Sequence, residues 1–135
     1  MGEAGYIHTI PFMFSETLKR FGKRDALAFV GEKPISYEAV SEKILSVMAF
    51  LKSNGVVQGD KVSILSMNMP NWGITYFAIA SMGAVVVPIL PDFSAIEVTN
   101  VINHSGAKVV FVSSSLINKL EGINAPGLKI QVLID

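Results

Sequence analysis

The chain has 135 residues and no cysteine, and its eleven lysines and arginines balance eleven aspartates and glutamates. Zero net charge leaves no electrostatic footprint for DNA or RNA, and the lack of thiols removes disulfide and thiolate chemistry, which favours an intracellular, cytoplasmic protein. Charged residues are 16% of the chain, and with glycine counted in place of tyrosine the apolar share is roughly 56% against a usual 45–50%, an excess that implies an apolar face left for more protein.

The opening segment, MGEAGYIHTIPFMF, has neither a basic start nor a clean apolar centre, so it is not a signal peptide. Residues 1–10 read as a poorly ordered leader. Pro11 suits a helix start, and Phe14, Leu18 and Phe21 then make a short apolar stripe that Gly22 ends. Lys19, Arg20, Lys23 and Arg24 read as a solvated helix end, where cations face the last carbonyls, and not as a binding patch.

Ala26 to Val30 reads as a strand, Gly31-Glu32-Lys33-Pro34 as a turn, and Ile35 can pair back before Ser36 caps the next helix. In that helix Tyr37, Val40, Ile44, Val47, Met48 and Leu51 share one face, and Asn54-Gly55 closes it. Asp60, after Gly59, reads as shaping the turn into the following strand.

From Val62 to Pro91 thirty residues pass without Asp, Glu, Lys, Arg or His. A membrane helix needs about 20 uninterrupted apolar residues, and Asn68, Pro70, Asn71, Gly73, Gly83 and Pro88 cut this run too finely. A buried strand–helix–strand fits better: Val62–Leu65, then a helix over 72–82 with Pro70 in its first turn, then Ala84–Val87, stopped by Pro88. Trp72, Tyr76 and Phe77 read as packing residues of that helix. Ser94 caps a helix to about His104, with Ile96, Val98, Val101 and Ile102 mostly on one side. Lys108–Val112 is a strand, Ser113–Ser115 a polar turn and cap, Leu116–Leu120 a short helix, and Ile130–Ile134 a last strand. The alternation predicts an α/β fold, with a mostly parallel sheet and flanking helices, forming one partial domain over residues 1–135.

Recognisable chemistry is missing. There is no G-x-G-x-x-G, and Gly55 to Lys61 fails as a phosphate loop on spacing and because a strand follows it. His8 and His104 lie far apart, and His104 at a helix end reads as structural. Asp25, Asp60, Asp92 and Asp135 show no metal-ligand spacing. Asn103-His104-Ser105 matches the glycosylation pattern, which without secretion carries no meaning. Ser113 to Ser115 could hold an anion at a helix N-terminus, with a plain cap as the simpler reading. No catalytic, cofactor-binding or metal-binding residue is assigned.

The order of short motifs is more telling. Ile35-Ser36-Tyr37, Leu51, Gly55-Val56, Gly59-Asp60-Lys61-Val62, Asn68-Met69-Pro70-Asn71-Trp72, Ala78, Gly83-Ala84-Val85-Val86-Val87-Pro88 and Pro91 closely resemble the start of AMP-forming acyl-CoA synthetases, the adenylate-forming ligase superfamily. The likeness runs from about Phe12 to about Val112. It implies an incomplete N-terminal subdomain of an enzyme that activates an acid with Mg-ATP to an acyl-adenylate and passes the acyl group to CoA, with fatty acid as the expected acid. The family's Ser/Thr/Gly-rich phosphate loop, aromatic-Thr-Glu segment, ribose-binding Asp and catalytic Lys have no counterpart in these residues. The resemblance therefore implies a fragment that is inactive alone and binds no cofactor, while ATP, Mg and CoA serve the whole enzyme. Its partners would be the remainder of the chain or a second copy on exposed apolar faces, with peripheral membrane association open to the whole enzyme. The alternatives are a self-standing α/β interaction module, or a flavodoxin-type nucleotide domain stabilised by FMN or ATP.

Overall fold

The computed structural model describes residues 9–135, so His8 and residues 1–8 of the expected leader lie outside the described residues. The leader's last two residues belong to the fold: Thr9 caps helix α1 (Ile10–Phe21) by accepting from Phe12 N, with Pro11 in the first turn. Strand β1 (Asp25–Leu27) pairs antiparallel with β2 (Ile35–Ser36), so Ile35 does pair back. The strand expected over 26–30 stops at Leu27, since β2 offers only two residues to pair with and the chain turns, leaving Val30 wholly exposed.

Helix α2 (Tyr37–Ser53) begins at Ser36, whose hydroxyl accepts from Ala39 N, and buries Val40, Ile44 and Leu51 as its stripe predicts. Gly22 brings the end of α1 against its start: the Gly22 carbonyl accepts from Glu38 N at 2.9 Å, and a Cβ at Gly22 would stand 2.9 Å from the Leu18 carbonyl oxygen. A side chain at residue 22 would force the last turn of α1 to shift.

The remaining strands, β3 (Lys61–Leu65), β4 (Val85–Ile89), β5 (Val109–Val112) and β6 (Ile130–Leu133), form one parallel sheet in the order β4-β3-β5-β6. Its two faces are both covered, as continuous apolar strands require. Val62, Ile64, Val109 and Phe111 face Leu51 of α2 and Ile79 of α3 (Pro70–Ser81). Leu65, Val110 and Val112 face Val98 and Ile102 of α4 (Ala95–Ser105) and Leu120 of the 3-10 helix Ser114–Leu120. Helix α3 is itself enclosed, since Ile74 and Ala78 pack with Val40 and Ile44 on its other side and Phe77 meets Phe14 of α1 with ring centroids 5.1 Å apart. Trp72 and Tyr76 stack at 5.4 Å as packing residues.

Three expectations need correction. Pro88 does not stop β4 but pairs opposite Ile64 within it. Val85 N donates inward to the Asp60 carbonyl, so alternation turns residue 88 toward the open side of this edge strand, where a missing N–H costs nothing. Ile96 lies 74% exposed, because only Val98 and Ile102 of α4 reach the sheet. The helix after β5 is a 3-10 helix from Ser114, and Ser113 gives it no side-chain cap. Gly83 takes the left-handed end expected after α3, at φ 69°.

One polar group is misplaced energetically. Ser63, fully buried in the central strand on the α4 face, has a hydroxyl with no hydrogen-bond partner among the described residues. Since an unsatisfied buried hydroxyl carries a desolvation penalty, Ser63→Ala is expected to raise unfolding free energy by about 1 kcal/mol in urea titration. A loss of that size would show that the hydroxyl is satisfied in solution.

Candidate functional site

Strands β3 and β5 are neighbours whose connections leave in opposite directions, to β4 and to β6. In open parallel sheets ligands bind beyond the carboxyl ends of such a strand pair. Here that position gathers Ser66 to Asn71 after β3, Ser113 to Ser115 after β5, and Asp135 after β6.

Polar links hold these segments together. Asn71 Nδ2 donates to the Ile134 carbonyl at 2.7 Å, tying the first turn of α3 to the end of β6. Ser114 donates its N–H to Asp135 Oδ1 at 2.8 Å and its hydroxyl to Oδ2 at 2.9 Å. These two bonds, the N–H foremost, hold the Asp135 carboxyl below its ordinary range. Ser66 and Ser113 are buried, with Ser66 Oγ donating to the Met67 carbonyl and Ser113 Oγ 3.4 Å from Ser115 Oγ. Beside this end, a groove of about 410 Å3 runs between α2 and β6, lined by Lys43, Phe50, Asn71, Thr75 and Phe111.

The amino end of the sheet is clasped by charge instead. Asp60 accepts from Val57 N at 2.9 Å, shaping the turn as expected, and pairs with Lys108 at 2.7 Å, joining the starts of β3 and β5. Lys108, then the Val57 N–H, holds the Asp60 carboxyl below its usual range. His104 sits in the last turn of α4. The residues weighed in the sequence are thus divided between the two ends: the Ser113–Ser115 turn meets Asp135, whereas Asp60 and His104 lie at the amino end, away from them.

The anion position suggested by Ser113 to Ser115 is filled by the chain's own Asp135. Among the described residues, no group of three or more His, Asp or Glu is placed to hold a metal ion. Pro70, which starts helix α3, has no N–H, Trp72 N is spent on the Met69 carbonyl, and Ser66 and Asn71 already spend donors on backbone carbonyls. This donor set does not fit a magnesium-bound triphosphate, so no chemical step is routed through it. What the arrangement does is fix three loops at the carboxyl end. Sequence reasoning missed Asn71 and Asp135 as partners because each acts across a long sequence separation, 63 and 21 residues.

Among the described residues four carboxyls lie below their ordinary range: Glu16 through Lys19, Asp60 through Lys108, Glu97 through Ser94 and Asp135 through Ser114. A lowered folded-state pKa stabilises above the unfolded value, and that stabilisation disappears as pH falls through the folded value, so the urea midpoint is expected to drop below about pH 4. Asp60→Asn keeps an acceptor for Val57 and loses the charge, so it should show a lower midpoint at neutral pH and a smaller acid drop. An unchanged acid drop would remove Asp60 from this account.

Comparison with known proteins agrees with this geometry. The profile described as AMP-binding enzyme matches residues 14–135. The chain is 25% identical over 126 residues to the long-chain-fatty-acid–CoA ligase of Bacillus subtilis, covering 93% of this chain and 22% of that enzyme. It is 27% identical over 110 residues to 4-hydroxybutyrate–CoA ligase 2 of Metallosphaera sedula, covering 82% and 20%. The crystal structure of an anthranilate CoA ligase in complex with anthranoyl-AMP superposes with a TM-score of 0.88 at 23% identity, over 93% of this chain and 25% of that one. The chain thus spans about a fifth of the length of these curated relatives. The CoA ligase structure shows a shared fold, and the profile over residues 14–135 shows that the chain belongs to the AMP-binding enzyme family.

Proposed function

We propose that these residues are the scaffold portion of an ATP-dependent acid–thiol ligase that forms an acyl-adenylate and then an acyl-CoA, with a fatty acid as the acid. The observation that carries the reading is the family match over residues 14–135, joined to the likeness with a long-chain-fatty-acid–CoA ligase over 93% of the chain. ATP, Mg and CoA belong to the whole enzyme, since the carboxyl-end donors described above do not form a phosphate cradle. The scaffold role follows from what the chain does supply: a rigid parallel sheet whose loops are braced where ligands of α/β proteins sit.

The apolar surface supports packing by further protein. Met67, Leu90 and Leu133, exposed by 51%, 63% and 56%, stand after or at the ends of β3, β4 and β6. We assign this rim, with Phe12 and Met13 on α1, to the remainder of the enzyme. Lack of cysteine favours the cytoplasm as its compartment, and no helix among the described residues is long and apolar enough to cross a membrane.

The 135-residue chain by itself is expected to give no acid-dependent ATP–pyrophosphate exchange, and robust exchange would overturn the scaffold reading. An enzyme carrying these residues, assayed with Mg-ATP, CoA and a panel of acids, should form acyl-CoA with long-chain fatty acids. Turnover restricted to acetate, aryl or amino acids would overturn the fatty-acid assignment and leave the ligase class standing. A chain whose reading frame closes after Asp135, with no exchange in any context, would favour a self-standing binding module.

Zero net charge and the exposed rim also predict self-association of the 135-residue chain, read as a mass that rises with concentration in light scattering. A clean monomer at high concentration would count against the packing assignment.

A further inference from the structure

Lys119 lies in the last turn of the 3-10 helix that follows β5, a position where a lysine ordinarily points to water. Instead it is half-buried, and its ammonium donates to the Pro91 carbonyl and, at 2.7 Å, to the Phe93 carbonyl. No carboxylate pairs with it among the described residues: the ion pairs there are Lys19–Glu16 and Lys108–Asp60. Glu97, whose carboxyl feels the Lys119 charge through space, keeps its carboxylate on the Ser94 N–H and hydroxyl.

The carbonyls it holds belong to the loop Leu90–Phe93, between β4 and α4. Phe93 packs half-buried against the core beside Val98, but the loop backbone has few ties of its own. Its one internal backbone bond runs from Phe93 N to the Leu90 carbonyl at 3.1 Å, and β4 pairs on only one side. Hydrogen bonds from a charged donor are the stronger class, and two of them converge here on neutral acceptors that would otherwise lack protein donors. We propose that Lys119 is a latch: a positioning residue that sets the Leu90–Phe93 loop at the carboxyl end of the sheet, and with it exposed Leu90 and the start of α4. The inference stands on these contacts and does not depend on the proposed ligase activity.

Hydrogen–deuterium exchange of the 135-residue chain tests it. Lys119→Met keeps the apolar stem and removes the donors, so the bonded amides of Phe93, Ser94 and Glu97 should exchange at least about tenfold faster while those of β3 and β5 keep wild-type protection. Lys119→Arg retains donors and should hold the loop near wild type. Loop protection unchanged in Lys119→Met would overturn the latch, as would an equal loss across β3 and β5, which marks general destabilisation. A variant-free measurement covers a Lys119→Met chain that does not fold: in 15N-labelled wild type, the Lys119 ammonium should exchange with water more slowly than that of exposed Lys33. Equal exchange of the two ammonium groups would also overturn it.

Discussion

Enclosure of β3 is the constraint from which the rest of the structure follows. It pairs on both sides, with β4 and β5, and Val62 to Leu65 are all fully buried between two helical layers. A charge at any position from Val62 to Leu65 would be stranded in low dielectric without a partner, at a cost comparable with a domain's marginal stability. Helix α3 extends the same condition, because α1 and α2 cover the side that the sheet does not. The thirty uncharged residues from Val62 to Pro91 are thus the imprint of a strand and a helix with no solvated face to spare.

Charge then reappears where enclosure ends, and differently at the two ends of the sheet. At the amino end Asp60 and Lys108 sit at the first positions free of the core and join two strands by an ion pair. At the carboxyl end the joins are made by Asn71, Ser114 and Lys119, each bonded to a backbone carbonyl or to the one carboxylate of Asp135. An amino end clasped by charge suits stability, and a carboxyl end held by directional hydrogen bonds suits geometry: the loops are fixed with side chains that leave little net charge beside a ligand position. In a ligase built on this sheet, the phosphate-binding groups would have to come from elsewhere in the enzyme.

Whatever is local in the fold was legible in the sequence. The caps at Ser36 and Ser94 and the left-handed turn at Gly83 rest on contacts within a few residues, and the stripe from Val40 to Leu51 and the apolar runs of β3 and β5 record their burial in the residue pattern itself. What escaped depends on partners distant in the chain. Pro88 reads as a breaker until one knows that β4 is an edge and that residue 88 faces outward. Ile96 reads as part of a stripe until the sheet shows how narrow a band of α4 it touches. The carboxyl-end links were illegible for the same reason: a serine turn, an asparagine after proline and a lysine in a last turn each have an ordinary local explanation. The family likeness, by contrast, was readable because it lies in the order of local motifs.

Edge chemistry adds a direction to the reading that more protein packs here. On β4, Pro88 turns its donorless nitrogen outward, which blunts that edge against a further strand. Strand β6 has no such device. Ile130 N and Ile134 N donate inward to Lys108 and Val112, so alternation turns the N–H groups of Gln131 and Leu133 to the open side. Val132 is only partly covered, and Leu133 is more than half exposed. A long-lived soluble protein with both edges final would be expected to guard both, by charge, proline or a bulge. Guarding one and leaving the other apolar and unblocked fits a sheet that can take a further strand along β6, next to the carboxyl-end loops, and not along the β4 edge.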